Sequence, residues 1–194
     1  MRGLVTNEGK MNYCQEIIDL ENNRHLREAA ALSYGIWKET ASNQDLLNSA
    51  LELWYVLFND VKLGLDIPCD DELYGYWDEV SSALKSCRDK DPELLFYSGY
   101  MMMIGFYLFA ETVDEVEEDH ISDFGVLLME KAYNLDPSDP VFALQHIRNE
   151  YEDKDMKKCS SESDKIMGKH RQDIQARFSG GGMINDYFSA IFLD

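Results

Sequence analysis

The chain has 194 residues, of which 45% are hydrophobic and 12% are aromatic, and its formal net charge is −19. This composition is typical of a folded globular protein and excludes an intrinsically disordered one. The strong negative charge disfavours binding to nucleic acid or to an anionic membrane, and it favours encounters with basic proteins.

The first third of the chain predicts three helices. Apolar residues recur every three to four positions over residues 11–21 and 24–41, which is the spacing of one helix face. A polar cluster then predicts a helix start with Ser42 or Asn43 as the cap. A wide apolar stripe predicts that the helix after this cap covers residues 45–63.

Capping signals predict four more helices in the middle of the chain. A segment with glycine and proline predicts a loop, and a helix is predicted over residues 72–88. Asp91, followed by proline and glutamate, predicts the cap of a helix that covers residues 92–118. Further helices are predicted over residues 121–135 and 140–152, because Asp-Pro pairs mark the stop of the first and the start of the second.

These patterns divide the chain into four parts. Residues 1–10 are predicted to be a loose leader, and residues 11–152 a domain of helical hairpins. Residues 153–182 are polar and poorly patterned, which predicts either a weak helix or a partly mobile connection. Residues 183–194 place apolar side chains on one face, so we expect a short C-terminal helix that docks on the domain. No alternating strand pattern is present, and the predicted class is all-α.

Residues 125–140 carry the pattern of a helical repeat. The small residue Gly125 precedes the large Met129 by four positions, and Ala132 and an Asp-Pro stop follow. This pattern resembles the second helix and exit turn of a tetratricopeptide repeat, with Gly105 as the small residue of the first helix. The resemblance implies an irregular tetratricopeptide-like array of antiparallel helical hairpins, in which small residues let paired helices approach closely.

Three features predict a cytoplasmic protein without a membrane anchor. The N-terminal residues lack the apolar core of a signal peptide. The four cysteines form no CxxC pair, which favours reduced thiols. Residues 94–110 form an uncharged run of 17, but it starts at a helix cap and ends in acids, whereas a membrane span needs about 20 apolar residues. We expect this run to be a central helix that is buried on most sides.

An acidic run follows this uncharged segment directly. If the helix continues to residue 118, then Glu111, Asp114, Glu115 and Glu118 share one face. The run is then either an ordinary solvated face or a docking surface for a basic partner. Both interpretations stay open, although like charges at this spacing destabilise a helix by a few tenths of a kcal/mol per pair, a cost that a function would explain.

A second candidate patch places aromatic residues beside acids shortly after the predicted loop. Aromatic anchors with an acidic rim are suited to tight binding of a basic protein. The predicted partner-binding residues of the two patches are Glu111, Asp114, Glu115, Glu117, Glu118, Asp119, Asp123, Asp70, Asp71, Glu72, Tyr74, Tyr76 and Trp77.

No catalytic or metal site is predicted. Glu117-x-x-His120 has the spacing of one half of a helical di-iron site, but the second pair and the two further glutamates of such a site are missing. The chain contains no zinc-hydrolase motif, no glycine-rich phosphate loop and no paired DDxxD motif. No two carboxylates are singled out for acid–base chemistry. The prediction is a non-enzymatic protein with no cofactor.

In size, charge and lack of catalytic motifs, the chain resembles the immunity proteins that bacteria make against secreted or contact-delivered nuclease toxins. The resemblance implies an acidic protein that neutralises a basic toxin by occupying its substrate groove as phosphates would. The alternative is a tetratricopeptide-type adaptor or chaperone that holds a peptide in a concave groove. Inward-facing Asn, Lys or Arg clamps for a peptide carboxylate are few in the predicted repeat helices.

Overall fold

The computed structural model describes residues 13–63, 71–151 and 154–193, and the regular structure in these residues is entirely helical. The predicted all-α class is therefore confirmed. The predicted leader at residues 1–10 lies outside the described residues. The helices are α1 Gln15–Asn22, α2 Leu26–Thr40, α3 Asn43–Leu63, α4 Asp71–Cys87, α5 Pro92–Ile104, α6 Ile121–Leu135, α7 Pro140–Tyr151, α8 Met156–Arg177 and α9 Met183–Leu193.

Most of these helices begin where local signals predicted. Asp91 accepts hydrogen bonds from the backbone N–H groups of Glu93 and Leu94, so it caps α5 as expected. Ser42, one of the two predicted caps of α3, accepts a hydrogen bond from the N–H of Asp45 at 3.1 Å. The polar segment after α7, for which a helix and a mobile connection were both open, contains the 22-residue helix α8.

Consecutive helices pack as hairpins, and α9 closes the array. Helix α2 packs on α1 and α3, α5 pairs with α6, and α7 pairs with α8. Helix α9 contacts α1, α3 and α8, and it buries Ile184, Phe188 and Phe192. Residues 94–102 of α5 are all buried, as expected for a central helix. Among the described helices, none combines the length and hydrophobicity needed to cross a membrane.

The predicted helix over residues 92–118 is wrong in its second half, because α5 ends at Ile104. The backbone of Gly105 passes against the side chains of α3. A Cβ atom on Gly105 would lie 2.9 Å from Trp54 Nε1 and 3.2 Å from Phe58. Glycine permits this approach, and the chain leaves the helix there. The acids that follow therefore do not share a helix face.

The tightest helix pair depends on two glycines. A Cβ atom on Gly99 of α5 would overlap the carbonyl oxygen of Gly125 in α6, and a Cβ atom on Gly125 would overlap the carbonyl oxygen of Gly99. The predicted close approach at Gly125 is therefore present. Its partner on the first helix is Gly99 and not Gly105, which instead ends the helix against Trp54.

Two glutamates are buried together where α1, α3 and α9 meet. Glu21 of α1 and Glu52 of α3 are each 1% exposed. The backbone N–H of Ile184 donates to Glu21 Oε1 at 3.1 Å, so Glu21 caps α9. Burial raises the pKa of both carboxyl groups, and the neighbouring Glu21 raises the pKa of Glu52 further. Two carboxyl groups buried this close together disfavour a pair of negative charges.

The glycine contact predicts a large effect of a single methyl group. We expect Gly125→Ala to lower the free energy of unfolding by about 1–3 kcal/mol, because the added Cβ meets backbone atoms that cannot move aside. Chemical denaturation measures the change. In the control Gly168→Ala, the new Cβ in α8 meets no atom within 4 Å, so stability should rise by up to about 1 kcal/mol. Equal effects of the two substitutions would contradict the close helix approach.

The buried glutamate pair predicts a pH dependence of stability. Above about pH 4.5, the ordinary pKa of glutamate, the unfolded chain releases a proton that folded Glu52 retains. Rising pH therefore destabilises the fold until the raised pKa of Glu52 is passed. Glu52→Gln keeps a hydrogen-bond donor but cannot ionise, so its stability relative to the natural chain should increase from pH 4.5 to pH 8.

Thermal unfolding at a series of pH values measures this difference. The exposed Glu39, substituted by Gln in the same way, provides the control and should show no such trend. A constant difference in stability between Glu52→Gln and the natural chain over this range would show that protonation of Glu52 is not the cause of the pH dependence.

Candidate functional site

The connection between α5 and α6 (residues 105–120, hereafter the acidic loop) contains six of the thirteen predicted partner-binding residues. It includes two short 3₁₀ turns, Phe106–Phe109 and Glu118–His120, and is otherwise irregular. Three of its apolar side chains, Leu108, Phe109 and Val113, are buried in the core. The acidic loop is thus a packed part of the fold, and its acids face outward from a fixed backbone.

Trp77 of α4 holds the first half of the acidic loop. Its indole Nε1–H donates to the carbonyl oxygen of Leu108 at 2.6 Å, and its ring packs edge-on against Phe109 with 5.0 Å between the ring centroids. Trp77 was predicted to be a partner-binding anchor, but it is only 2% exposed. That prediction is wrong, because the indole packs into the core and is used inside the protein.

Two cations hold the second half of the acidic loop. Lys85 of α4 forms an ion pair with Asp114 and lies 3.8 Å from Glu115 Oε2. Arg88 donates from Nη2 to Glu115 Oε1 at 2.6 Å, and its side chain is almost fully buried against Phe124. The hydrogen bond from Lys85 lowers the pKa of Asp114. The predicted binding role of Asp114 and Glu115 stays a prediction, but both carboxylates already face cations within the protein.

The anchoring residues show how the acidic loop lies on α4. Positions 77, 85 and 88 contact loop positions 108, 114 and 115 in the same order. The loop therefore runs alongside α4 in the same chain direction. This arrangement brings the described parts of the two patches that the sequence predicted separately, around residues 71–79 and 111–123, into one region of the surface.

Three large aromatic side chains are exposed in this region. Tyr74 is 43% exposed, Phe106 is 43% exposed and Tyr107 is 39% exposed. Tyr74 and Tyr107 line a cleft of about 380 Å³ between α4 and the acidic loop. Phe106 lines a neighbouring depression with Glu118 and Asp119. The aromatic–acidic surface is defined here by Tyr74, Asp78, Phe106, Tyr107, Glu111, Glu118 and Asp119.

The carboxylates of this surface differ from those held by Lys85 and Arg88. Asp78, Glu111 and Glu118 are exposed and form no ion pair with any residue that the structure describes. Asp119 lies 3.9 Å from His120, which carries charge only when protonated. The surface therefore keeps most of its negative charge for an external partner.

Other predicted residues of the second patch serve the contact between α2 and α4. Tyr76 stacks on Tyr34 with 4.0 Å between ring centroids, and its hydroxyl donates to Glu72 at 2.6 Å. Glu72 also accepts a hydrogen bond from Arg27 at 2.6 Å. Both side chains are thus engaged within the protein, and the binding role of Tyr76 and Glu72 stays a prediction.

The remaining predicted residues lie at the margin of the region. Asp71 is exposed at the start of α4, and Asp123 is exposed in the first turn of α6. Glu117 is exposed in the acidic loop. Asp70 lies outside the described residues.

Two members of the aromatic–acidic surface, Phe106 and Tyr107, were missed by the sequence prediction, because they lie in the uncharged run that was interpreted as one buried helix. Asp78 is one of the acids beside the aromatics of the second patch, but it was not selected as a partner-binding residue. The only available signal was Gly105, a residue that can end a helix before the two aromatics.

One exposed cluster has the residue types of a metal site. In the part of the chain that the structure describes, one potential ligand atom from each of Glu117, Asp119 and His120 lies within 4.8 Å of the other two. All three side chains are exposed to water, and the loop places them on a short turn instead of an α-helix. Acidic groups on a surface commonly lie this close without an ion, and the cluster carries no metal assignment.

Comparisons of this chain with protein-family models, curated proteins and solved structures find no match.

The anchoring of the acidic loop predicts the effect of removing the indole donor. Trp77→Phe leaves the buried carbonyl oxygen of Leu108 without its hydrogen bond, which should cost about 1–3 kcal/mol of stability. Amide hydrogen exchange of residues 105–117 should accelerate in the variant. Trp37→Phe on α2 is the control and should leave the exchange of this loop unchanged. Unaltered exchange in Trp77→Phe would show that the loop is held by other contacts.

Proposed function

We propose that this protein is a non-enzymatic binding protein that captures a basic protein partner on the aromatic–acidic surface. The observation that carries the proposal is the combination of three exposed aromatic rings with carboxylates that have no cation of their own among the described residues. Protein interfaces are enriched in aromatic residues at their centre and are ringed by polar groups. Exposed aromatics without such a role are an aggregation hazard, so a partner explains their presence.

The internal ion pairs determine which acids carry out the binding. Asp114 and Glu115 face Lys85 and Arg88, so their field is largely cancelled at the surface. Glu118 and Asp119 instead project beside Phe106. Complementary charge of this kind raises the rate at which an oppositely charged protein associates, and the effect weakens as salt screens it.

The fixed position of the acidic loop supports tight binding as well as fast binding. A mobile loop loses conformational entropy when it is ordered on association, and this loss weakens binding. The acidic loop is already held by Trp77 at one end and by Arg88 at the other. Phe106 and Tyr107 are adjacent, and their rings meet edge to face with 6.0 Å between centroids. The pair therefore presents a preformed apolar anchor next to the carboxylates.

The partner class that we propose is a nuclease toxin, which makes this protein an immunity protein. Nucleases bind a polyanion, so their substrate grooves carry basic side chains. A surface with several unbalanced carboxylates can occupy such a groove in place of phosphates. The overall charge of −19 supports this assignment, since it steers the whole molecule toward a basic protein and away from nucleic acid.

Charge reversal on the Phe106 side of the surface tests the proposal. We expect Glu118→Lys with Asp119→Lys to slow association, by about tenfold or more, with a basic nuclease toxin domain that the natural chain inhibits, and to reduce inhibition of its nuclease activity. Stopped-flow fluorescence at low and at raised salt measures the rate. The effect should shrink as salt increases.

The control makes the same change in charge elsewhere on the molecule. Glu16→Lys in α1 with Asp164→Lys in α8 alters two exposed acids outside the aromatic–acidic surface. This variant should slow association much less. If both variants slow association equally, only the total charge matters and the surface is not the binding site.

A further inference from the structure

The cleft between α4 and the acidic loop has a defined chemical lining. Aromatic rings of Tyr74 and Tyr107 form part of its walls, and Trp77 and Leu108 contribute apolar surface. Asp78, which belongs to α4, and Glu111, which belongs to the acidic loop, are the two acidic residues of the lining. Its volume of about 380 Å³ lies within the range of small-ligand sites.

This cleft is preformed. The hydrogen bond from Trp77 to the carbonyl oxygen of Leu108 joins the α4 side of the cleft to the loop side. Trp77 and Leu108 are themselves buried, and Phe109 packs behind the indole. The two sides therefore keep their separation without a ligand, and an occupant need not order the loop.

The cleft also has an unbalanced charge. Neither Asp78 nor Glu111 forms an ion pair among the residues described. The lysine further along α4, Lys85, is already engaged by Asp114 and Glu115. Two negative charges therefore belong to a partly apolar lining, and a neutral apolar ligand would leave them without a partner.

We infer that this cleft binds a single arginine side chain of the basic partner. This inference rests on the proposed function and names the group that the surface recognises. A planar guanidinium can stack on the tyrosine rings while its N–H groups donate toward the carboxylates of Asp78 and Glu111. The aliphatic part of the side chain matches the apolar surface of Trp77 and Leu108.

Arginine fits this lining better than lysine does. A guanidinium has five N–H donors in a plane, which suits two carboxylates in the lining of one cleft. The lysine ammonium is a compact, strongly hydrated charge that stacks poorly on aromatic rings. Arginine is also enriched among the residues that dominate protein–protein binding.

A peptide titration tests the inference directly on the intact chain. The probe is the acetylated and amidated peptide Gly-Gly-Arg-Gly-Gly, and the readout is the NMR signal of the Trp77 indole N–H. We expect a saturable shift with a dissociation constant of roughly 1 mM, as befits one side chain. The lysine peptide should bind more weakly, and the isosteric but uncharged citrulline peptide should cause no saturable shift. The indole of Trp54, which is buried in the core, serves as the internal control.

Paired substitutions locate the binding site on the surface. Asp78→Asn with Glu111→Gln should weaken binding of the arginine peptide by about tenfold, because both charge-assisted hydrogen bonds lose their charge. Glu16→Gln with Asp164→Asn removes the same charge outside the aromatic–acidic surface, and should leave most of the affinity. Equal weakening by the two variants, or no shift of Trp77 with the arginine peptide, would overturn the inference.

These outcomes are separable from those of the proposed function. If the arginine peptide leaves Trp77 unchanged while the lysine reversals at Glu118 and Asp119 still slow toxin association, the cleft inference fails and the binding function stands. If the peptide binds in the cleft but those reversals have no effect on association, the cleft is a cation site and the proposed docking surface is wrong.

Discussion

The hydrogen bond between the Trp77 indole and the carbonyl oxygen of Leu108 joins α4 to the acidic loop, and the arrangement of the aromatic–acidic surface depends on it. The donor and acceptor are 31 residues apart in the chain, and both residues are buried. A buried carbonyl group strongly favours having a donor, and the indole supplies it from α4. This bond, together with the ion pairs of Lys85 and Arg88, holds the acidic loop beside α4, so that Tyr74 and Tyr107 line one cleft.

Internal ion pairs, and not position in the sequence, decide which acidic side chains of the loop keep an unbalanced charge. Acids that are neighbours in the chain have different fates: Asp114 and Glu115 stabilise the acidic loop through Lys85 and Arg88, whereas Glu111 and Glu118 remain directed to solvent. Some acids of the run therefore stabilise the fold, and the others are left exposed to solvent. The internal cations also limit the repulsion that seven close carboxylates would otherwise cause.

Local signals in the sequence predicted the helices well because capping is a local interaction. Asp91 and its following proline fixed the start of α5, and Ser42 fixed the start of α3. The end of α5 depends instead on the approach of Gly105 to Trp54, which lies 51 positions earlier, and periodicity contains no information about such a contact. For the same reason, the burial of Trp77 and the pairing of Lys85 with Asp114 could not be predicted.

The capping of α9 by Glu21 has a consequence for how the protein forms during synthesis. The carboxylate and the N–H that it accepts are 163 positions apart, so almost the whole array must leave the ribosome before this bond can form. Because α9 packs on α1 and α3, its docking encloses the buried pair of Glu21 and Glu52, and this can happen only after residues 183–193 have been synthesised.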